Sequence, residues 1–458
     1  MTGQSKTFTE QGGAATMDPS FLRRWILSTL VSRRFRPEQI ASRRVKFERQ
    51  RDRENRPHLV EYFHQVDDGY SHLTAQLLAR LEERYRVVVR CHLVRGPEGG
   101  NVMDAERLLA VSRRDSAIIA AQYGLIFPKP AKAPASELIN LAQAILAGMN
   151  DQSRVRHLAE VSRALWHGSS DDLKQLADAL GQVDEQQVTD ALNAGTSRRA
   201  TLKHYAGAMF HYEGEWYWGV DRLHYLEQRL RELELDAAPG NEALAPCPAV
   251  DPGTTVPNSD LTLEFFPSLR SPYTAIVFDE TLALAERSGI RLHTRPVLPM
   301  VMRGVPVTLE KGLYIFFDTA REALRRGVPY GNFRDPIGNP VRRCYALYPW
   351  ALKQGRGNEL LSSFLRHAFA LGVNTNTQRG LRQVVEAAGL DWESAKMQQR
   401  DDRWEALLED NRLSLDESGL WGVPSYRLSD GTGRCLLETW GQDRLWLVAQ
   451  AIRRHHYG

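Results

Sequence analysis

Leu261-Thr-Leu-Glu-Phe-Phe-Pro-Ser-Leu-Arg-Ser-Pro-Tyr-Thr-Ala275 is a stretch that predicts a β-strand, a sharp loop and the start of an α-helix. Ser271 is a residue type preferred as an N-cap, and Pro272 suits the first helical turn because its missing N–H would have no partner there. Apolar residues continue along one helical face at Phe278, Leu282 and Ala285. Such a helix start places free backbone N–H groups and a positive dipole end beside the Ser271 hydroxyl. The stretch therefore predicts an anion or thiolate site.

A second copy of this stretch lies in the first half of the chain. Leu59-Val-Glu-Tyr-Phe-His-Gln-Val-Asp-Asp-Gly-Tyr-Ser71 matches it without a gap, so that Tyr70 corresponds to Tyr273. Further along each half, Trp218-Gly-Val-Asp-Arg-Leu223 recurs as Trp440-Gly-Gln-Asp-Arg-Leu445. Two matched motifs in the same order and at similar separation indicate a long internal duplication.

The duplication and the local composition divide the chain into four regions. Residues 1–57 are predicted to form a basic, partly disordered extension, 58–235 repeat one, 236–260 a proline-rich linker, and 261–458 repeat two. Residues 21–57 contain twelve Arg or Lys and four Asp or Glu. This charge could contact nucleic acid or an anionic surface, or it could belong to a solvated helix. No aromatic platform accompanies it, so we favour the solvated helix and expect no nucleic-acid partner.

Composition narrows the class of protein further. The net charge of +3 over 458 residues points to no particular partner. The four cysteines are far apart and form no Cys-x-x-Cys, so neither a redox dithiol nor a cysteine-based zinc site is expected. His64 and His72 have no identifiable third ligand, so we expect no metal site. No stretch approaches the roughly 20 apolar residues of a membrane-spanning helix. We therefore expect a cytoplasmic protein.

Each repeat has the same predicted order of elements: β-α-β, a helical insertion, then β-β-α. In repeat one the pattern predicts a single helix over Leu73–Tyr85. This order is that of a thioredoxin fold with an inserted helical domain. The expected fold class is therefore α/β, with two tandem thioredoxin-like domains that each carry a helical insertion. We also expect the two repeats to pack as an intrachain pseudo-dimer.

Repeat two contains three further motifs in a fixed order. They are Ser271-Pro272-Tyr273-Thr274, then Lys311, Tyr314 and Asp318 within Glu-Lys-Gly-Leu-Tyr-Ile-Phe-Phe-Asp, and Gly422-Val423-Pro424-Ser425 followed by Trp440-Gly-Gln-Asp-Arg444. Together they resemble the glutathione-dependent branch of the DsbA-like thioredoxin superfamily. Its members are 2-hydroxychromene-2-carboxylate isomerases and kappa-class glutathione transferases.

The resemblance implies an enzyme that binds glutathione and acts on a small electrophilic aromatic or unsaturated carbonyl compound. Ser271 would be catalytic, since its hydroxyl and the helix start would stabilise the glutathione thiolate. Pro424 would follow a cis peptide bond. Tyr273 and Arg270 would contact the substrate, although Arg270 could equally point to solvent. The residues implied to bind glutathione are Lys311, Val423, Pro424, Gln442 and Asp443.

Repeat one keeps the same frame but lacks most of these residues. Asp68-Gly69 stands where repeat two has Ser271-Pro272, and Ala206-Gly207 stands in place of Val423-Pro424. We therefore expect glutathione to bind repeat two alone. Two other functions stay open: a non-catalytic DsbA-like binding scaffold, and a thiol–disulfide oxidoreductase, which the missing Cys-x-x-Cys disfavours.

Overall fold

The computed structural model describes residues 18–303, 307–399 and 401–457. The chain divides into two compact units. The N-terminal unit is Ala41–Pro248, and the C-terminal unit combines Ala249–Gly458 with the described part of Met1–Ile40. Residues 1–17 of the extension that we expected to be partly disordered lie outside the described residues.

Two helices precede the first strand: α1 (Phe21–Arg34) and α2 (Pro37–Arg53). Ser20 caps α1, because its side chain accepts a hydrogen bond from the Arg23 backbone N–H at 3.4 Å. Helix α1 belongs to the C-terminal unit although it lies at the opposite end of the sequence. The basic segment is thus helical, as expected, but it is shared between the two units.

The N-terminal unit contains a four-stranded sheet and eight helices that follow α2 in the described chain. They are β1 (Leu59–His64), α3 (Gly69–Ala75), α4 (Leu78–Arg84), β2 (Val88–Leu93), α5 (Ala105–Ile119), α6 (Ser136–Ala147), α7 (Asp151–Trp166), α8 (Ser170–Leu180), α9 (Glu185–Thr201), β3 (Met209–Tyr212), β4 (Glu215–Trp218) and α10 (Gly219–Glu232).

The C-terminal unit has the same succession of strands, with helices between the second and third. Its elements are β5 (Thr262–Phe266), α11 (Pro272–Ser288), β6 (Arg291–Thr294), α12 (Leu309–Arg326), α13 (Asn339–Lys353), α14 (Gly357–Phe369), α15 (Gln378–Ala387), α16 (Trp392–Gln398), α17 (Arg403–Glu417), β7 (Ser425–Ser429), β8 (Cys435–Trp440) and α18 (Leu445–Tyr457).

The two sheets have the same topology. Their strand orders are β2-β1-β3-β4 and β6-β5-β7-β8, and in each sheet the first pair is parallel and the other two are antiparallel. The central strands β1 and β5 also carry equivalent acidic residues. Glu61 pairs with Arg198 at 2.6 Å, and Glu264 pairs with Arg295 at 2.6 Å. The fold class is therefore α/β with two tandem thioredoxin-like domains, each with a helical insertion, as predicted.

One predicted helix is wrong. The pattern over Leu73–Tyr85 predicted a single helix, whereas the chain forms α3 and α4 with a break between them. At the break, the Gln76 side chain donates to the Ile126 carbonyl at 2.8 Å and accepts from the Ile126 N–H at 3.0 Å. The Leu77 N–H bonds to the Thr74 carbonyl, so the turn is tightened there. A tertiary contact thus ends a helix that the apolar spacing would continue.

A cluster of aromatic and aliphatic side chains fills the space between the second sheet and helix α11. Phe265 of β5 stacks on Tyr426 of β7 with ring centroids 5.4 Å apart, and it packs against Phe278 of α11 at the same distance. All three side chains are buried. This packing fixes the position of α11 against the end of β5, where the candidate site lies. Among the described residues, no helix is long and apolar enough to cross a membrane.

Candidate functional site

Ser271 caps helix α11, as the sequence predicts. Its hydroxyl oxygen accepts a hydrogen bond from the Thr274 N–H at 3.2 Å and donates to the Val423 carbonyl at 3.4 Å. The Ser271 N–H bonds to the Ser268 carbonyl at 3.1 Å, which closes the loop between β5 and α11. A hydroxyl group therefore lies at the positive end of a 17-residue helix, beside the backbone of a second loop.

That second loop leads into β7 through a cis peptide bond between Val423 and Pro424, as the resemblance implied. Its approach to the sheet depends on Gly422, because a β-carbon there would lie 1.9 Å from the Trp440 ring. Trp440 in turn packs against Trp421, with ring centroids 5.2 Å apart. The loop is therefore held by tight packing, and the structure brings Ser271, Val423 and Pro424 together.

Tyr273 is joined to helix α12. Its hydroxyl donates to Asp318 at 2.9 Å, and Arg321 contacts the other oxygen of the same carboxylate at 2.7 Å. Asp318 is fully buried. The Tyr273 hydroxyl is consequently engaged within the protein.

Lys311 occupies the first turn of α12, where its backbone N–H bonds to the Thr308 hydroxyl at 3.3 Å. Burial lowers the pKa of Lys311 below its ordinary value. Lys311, Tyr314 and Asp318 lie at i, i+3 and i+7 and thus share one face of the helix. The motif is therefore presented on a single helical surface.

Gln442 and Asp443 lie in a short 3₁₀ turn between β8 and α18. The Gln442 side-chain oxygen accepts from Arg326 at 2.8 Å, while its Nε2 is buried without a hydrogen-bond partner among the described residues. Asp443 is partly exposed, and one of its carboxylate oxygens lies 3.6 Å from the Arg444 guanidinium. The turn thus offers an unused amide donor and a carboxylate next to each other.

Arg270 precedes the capping serine and forms a two-point ion pair with Asp335, at 3.0 and 3.2 Å. The sequence left open whether Arg270 faces a substrate or solvent. The structure adds a protein partner that sequence reasoning missed, because Asp335 lies 65 residues further on, in the helical insertion, with no local motif around it. Arg326, the partner of Gln442, was missed for the same reason.

The equivalent junction of the N-terminal unit is filled by its own side chains. Asp68 caps α3 by accepting from the Ser71 N–H at 2.8 Å, and it also accepts from the Ser112 hydroxyl of α5 at 2.5 Å. Burial raises the pKa of Asp68 above its ordinary value. Gly69 lies so close to α5 that a β-carbon would be 3.0 Å from the Ser112 carbonyl. Helix α5 therefore covers the start of α3.

The space beside the loop before β3 is also filled, by the side chain of Gln65. A β-carbon on Gly207 would lie 2.6 Å from the Gln65 side chain, and one on Gly96 would lie 3.0 Å from the amide of the same residue. Gln65 takes the position of Ser268 and occupies the space beside this loop. The N-terminal unit thus retains the frame of the site without an open helix start.

The described residues include no metal-binding cluster and no disulfide. No group of three or more His, Cys, Asp or Glu side chains in this part of the chain could hold a metal ion. All four cysteines are free, and Cys91 and Cys344 are buried. Burial raises the pKa of the Cys91 thiol to about 12, so it is not a reactive thiolate at neutral pH.

Known proteins provide independent evidence on the family. Residues 262–453 match the family described as DSBA-like thioredoxin domain. No curated protein sequence matches the chain.

Several solved structures are similar to part of the chain. A 2-hydroxychromene-2-carboxylate isomerase is 17% identical, with a TM-score of 0.37, over 43% of this chain and 96% of its own. The cytosolic disulfide reductase DsbM of Pseudomonas aeruginosa, in a structure with GSH, is 18% identical, with a TM-score of 0.33, over 43% and 97%. DsbA of Chlamydia trachomatis is 12% identical, with a TM-score of 0.29, over 45% and 94%. Each covers less than half of this chain. On the family match, residues 262–453 are similar to the DSBA-like thioredoxin domain family.

Proposed function

We propose that the C-terminal unit binds glutathione at the start of α11 and uses it to isomerise or conjugate a small electrophilic aromatic or unsaturated carbonyl compound. The observation that carries the proposal is the position of the Ser271 hydroxyl, at a helix N-terminus and 3.4 Å from the Val423 carbonyl. When bound, glutathione would supply a thiolate nucleophile. Reduced glutathione is a cytoplasmic reagent, and a cytoplasmic location is part of the proposal.

Three observations support a fit between these residues and glutathione. Ser271 and the α11 dipole favour a negative charge beside them. Gln442 Nε2 is a buried donor whose hydrogen-bonding capacity is unused among the described residues, and such a group is costly unless a ligand pairs with it. Asp443 is a partly exposed carboxylate in the same turn and suits an ammonium group.

The remaining roles follow from the chemistry of the side chains. As a donor, the Ser271 hydroxyl makes a long hydrogen bond to the Val423 carbonyl, so it can turn and donate to a thiolate instead. The Val423 backbone would align an extended peptide, and Lys311 would attract a carboxylate. The Tyr273 ring would pack against an aromatic substrate, because its hydroxyl is already held by Asp318.

Calorimetric titration with glutathione tests the proposal. We expect the wild-type protein to bind, and Ser271→Ala to raise the pKa of the bound thiol by about one unit, the value of one moderate hydrogen bond to an anion. Asp68→Ala is the matched control in the N-terminal unit and should change neither quantity. Failure of the wild-type protein to bind millimolar glutathione would refute the proposal and leave the non-catalytic scaffold as the better description.

A further inference from the structure

Helix α1 is attached to the C-terminal unit by its polar face. Arg24, Ser28 and Ser32, spaced at i, i+4 and i+8, are buried, whereas apolar side chains such as Trp25 and Leu30 are about half exposed, at 49% and 59%. A surface helix ordinarily buries its apolar stripe and exposes its polar face. Polar contacts, and not apolar packing, therefore attach α1 to this unit.

These contacts hold the backbone of a short segment in the helical insertion. The Ser32 hydroxyl accepts from the Phe333 N–H at 2.8 Å, and the Ser28 hydroxyl accepts from the Asp335 N–H at 3.0 Å. Arg24 donates to the Asp335 carbonyl and pairs with Asp18 at 2.6 Å. Helix α1 therefore binds both the backbone N–H and the carbonyl of Asp335. These two hydrogen bonds orient the Asp335 carboxylate.

The Asp335 carboxylate is the group that holds Arg270, with Nε and Nη2 at 3.0 and 3.2 Å. The same loop is fixed from its other side, because the Leu269 N–H donates to the Tyr345 hydroxyl at 3.2 Å. The turn that ends at Ser271 is thus held between Asp335 and Tyr345. A contact chain runs from α1 through Asp335 and Arg270 to the residue that caps α11.

We infer that α1 and Asp335 are positioning elements of the Ser271 site, which fix the Arg270 guanidinium in place, offset its positive field and hold the turn before the helix. The effect on a bound thiolate rests on the proposed function, whereas the positioning of the turn does not. Paired with Asp335, Arg270 adds little positive charge to the site. Without that partner, the guanidinium acts as a full cation one residue away from Ser271 and stabilises a thiolate there.

A double-mutant cycle measures the charge effect. Asp335→Asn keeps the shape of the side chain but removes its charge, and we expect it to lower the pKa of the glutathione thiol bound to the protein by roughly half a unit, from Coulomb's law at the surface of a protein. Arg270→Ala should reduce this shift when the two changes are combined, because only the direct loss of the Asp335 charge then acts on the thiolate and no freed guanidinium can approach it. A shift that is the same in both backgrounds would overturn the inference, because Asp335 would then not act through Arg270.

Hydrogen exchange measures the contribution of α1 without any ligand. In the full chain, Arg24→Ala combined with Ser28→Ala should speed amide exchange at least tenfold in 333–337 and 268–274. Arg434→Ala removes an exposed arginine of the same unit, which pairs with Asp430 at 3.1 Å, and serves as the control. Exchange that rises in 333–337 but not in 268–274 would overturn the link from α1 to the site.

The two measurements separate failure of the inference from failure of the proposed function. If the wild-type protein does not bind glutathione, the proposed function fails, and the exchange experiment alone decides whether α1 positions the turn. If the wild-type protein binds glutathione but neither the thiol pKa nor the exchange in 268–274 responds, the positioning role is refuted while the proposed function stands.

Discussion

Tyr273 donates its hydroxyl proton to Asp318 at 2.9 Å, across 45 residues of sequence. Tyr70 makes the same bond to Asp115 at 2.8 Å, also across 45 residues. The pair joins the first helix of each thioredoxin-like domain to the first long helix of its insertion. Its presence in both units, at the same spacing, is what an internal duplication predicts.

The two members of the Tyr273–Asp318 pair should contribute differently to the stability of the C-terminal unit. Asp318 is fully buried and also binds Arg321, so Asp318→Ala should cost the C-terminal unit roughly 3–5 kcal/mol. Tyr273→Phe removes one hydrogen bond and should cost only about 1 kcal/mol. Chemical denaturation measures both. Equal losses for the two variants would contradict this account, since the ion pair would then add nothing.

Glutathione binding should depend on Asp443 and not on Asp221, its counterpart in the N-terminal unit. Asp221 accepts a hydrogen bond from the Tyr123 hydroxyl at 3.1 Å, in a unit whose helix start is covered by α5. Calorimetry should therefore show markedly weaker binding for Asp443→Ala and unchanged binding for Asp221→Ala. Equal losses of affinity in the two variants would contradict the assignment of the site to the C-terminal unit.

The protein should not catalyse disulfide exchange, because that reaction needs an attacking thiolate and usually a second thiol nearby. Both helix starts lack a cysteine. We expect no insulin reduction above the rate of a cysteine-free control protein. Turnover by the wild-type protein would contradict this prediction.

A cysteine placed at position 271 should report the electrostatics of the site. We expect the thiol of Ser271→Cys to have a pKa below the ordinary value of about 8.5, because it would lie at the N-terminus of α11. The rate of alkylation as a function of pH measures it. The exposed Cys435 of the same chain provides the internal comparison for the alkylation rate. The other exposed cysteine, Cys247, is removed first. A value at or above 8.5 would show that the helix start does not stabilise an anion.

Acid should destabilise the N-terminal unit through buried neutral histidines. Burial lowers the pKa of His64 and of His72 to about 3. In the unfolded chain each histidine has a pKa of about 6.5, so between pH 3 and 6.5 the unfolded state binds more protons than the folded state. The stability that depends on keeping these histidines neutral is therefore fully present above pH 6.5 and is lost as the pH falls toward 3. Each histidine should contribute a slope of up to about 1.4 kcal/mol per pH unit within that window.

Calorimetric unfolding as a function of pH tests this prediction. His64→Gln should flatten the pH dependence of the transition of the N-terminal unit, because glutamine does not titrate. His293→Gln changes an exposed histidine of the C-terminal unit and should leave both transitions unaltered. An unchanged slope in His64→Gln would mean that other groups control the acid sensitivity.

The sequence predicts the parts of this fold that depend on local patterns. The strand–loop–helix junction at Ser271 is found where cap and proline preferences place it, and the cis bond before Pro424 follows from the family resemblance. The break between α3 and α4 was missed because a side chain 50 residues from its partner causes it. Asp335 was missed for a similar reason, since its role depends on packing between distant segments. The pairing of the two repeats with each other stays a prediction.

The attachment of α1 to the C-terminal unit also affects how the chain is made. Arg24 contacts a residue 311 positions later in the sequence, so the polar face of α1 lacks its partners in the helical insertion until the last third of this sequence has been synthesised. At about 5–20 residues per second, this delay lasts roughly 15–60 seconds, longer than most domains need to fold. All the residues of the N-terminal unit emerge during the interval. The nascent chain must therefore keep the polar side of α1 hydrated until its partners in the C-terminal unit have been made.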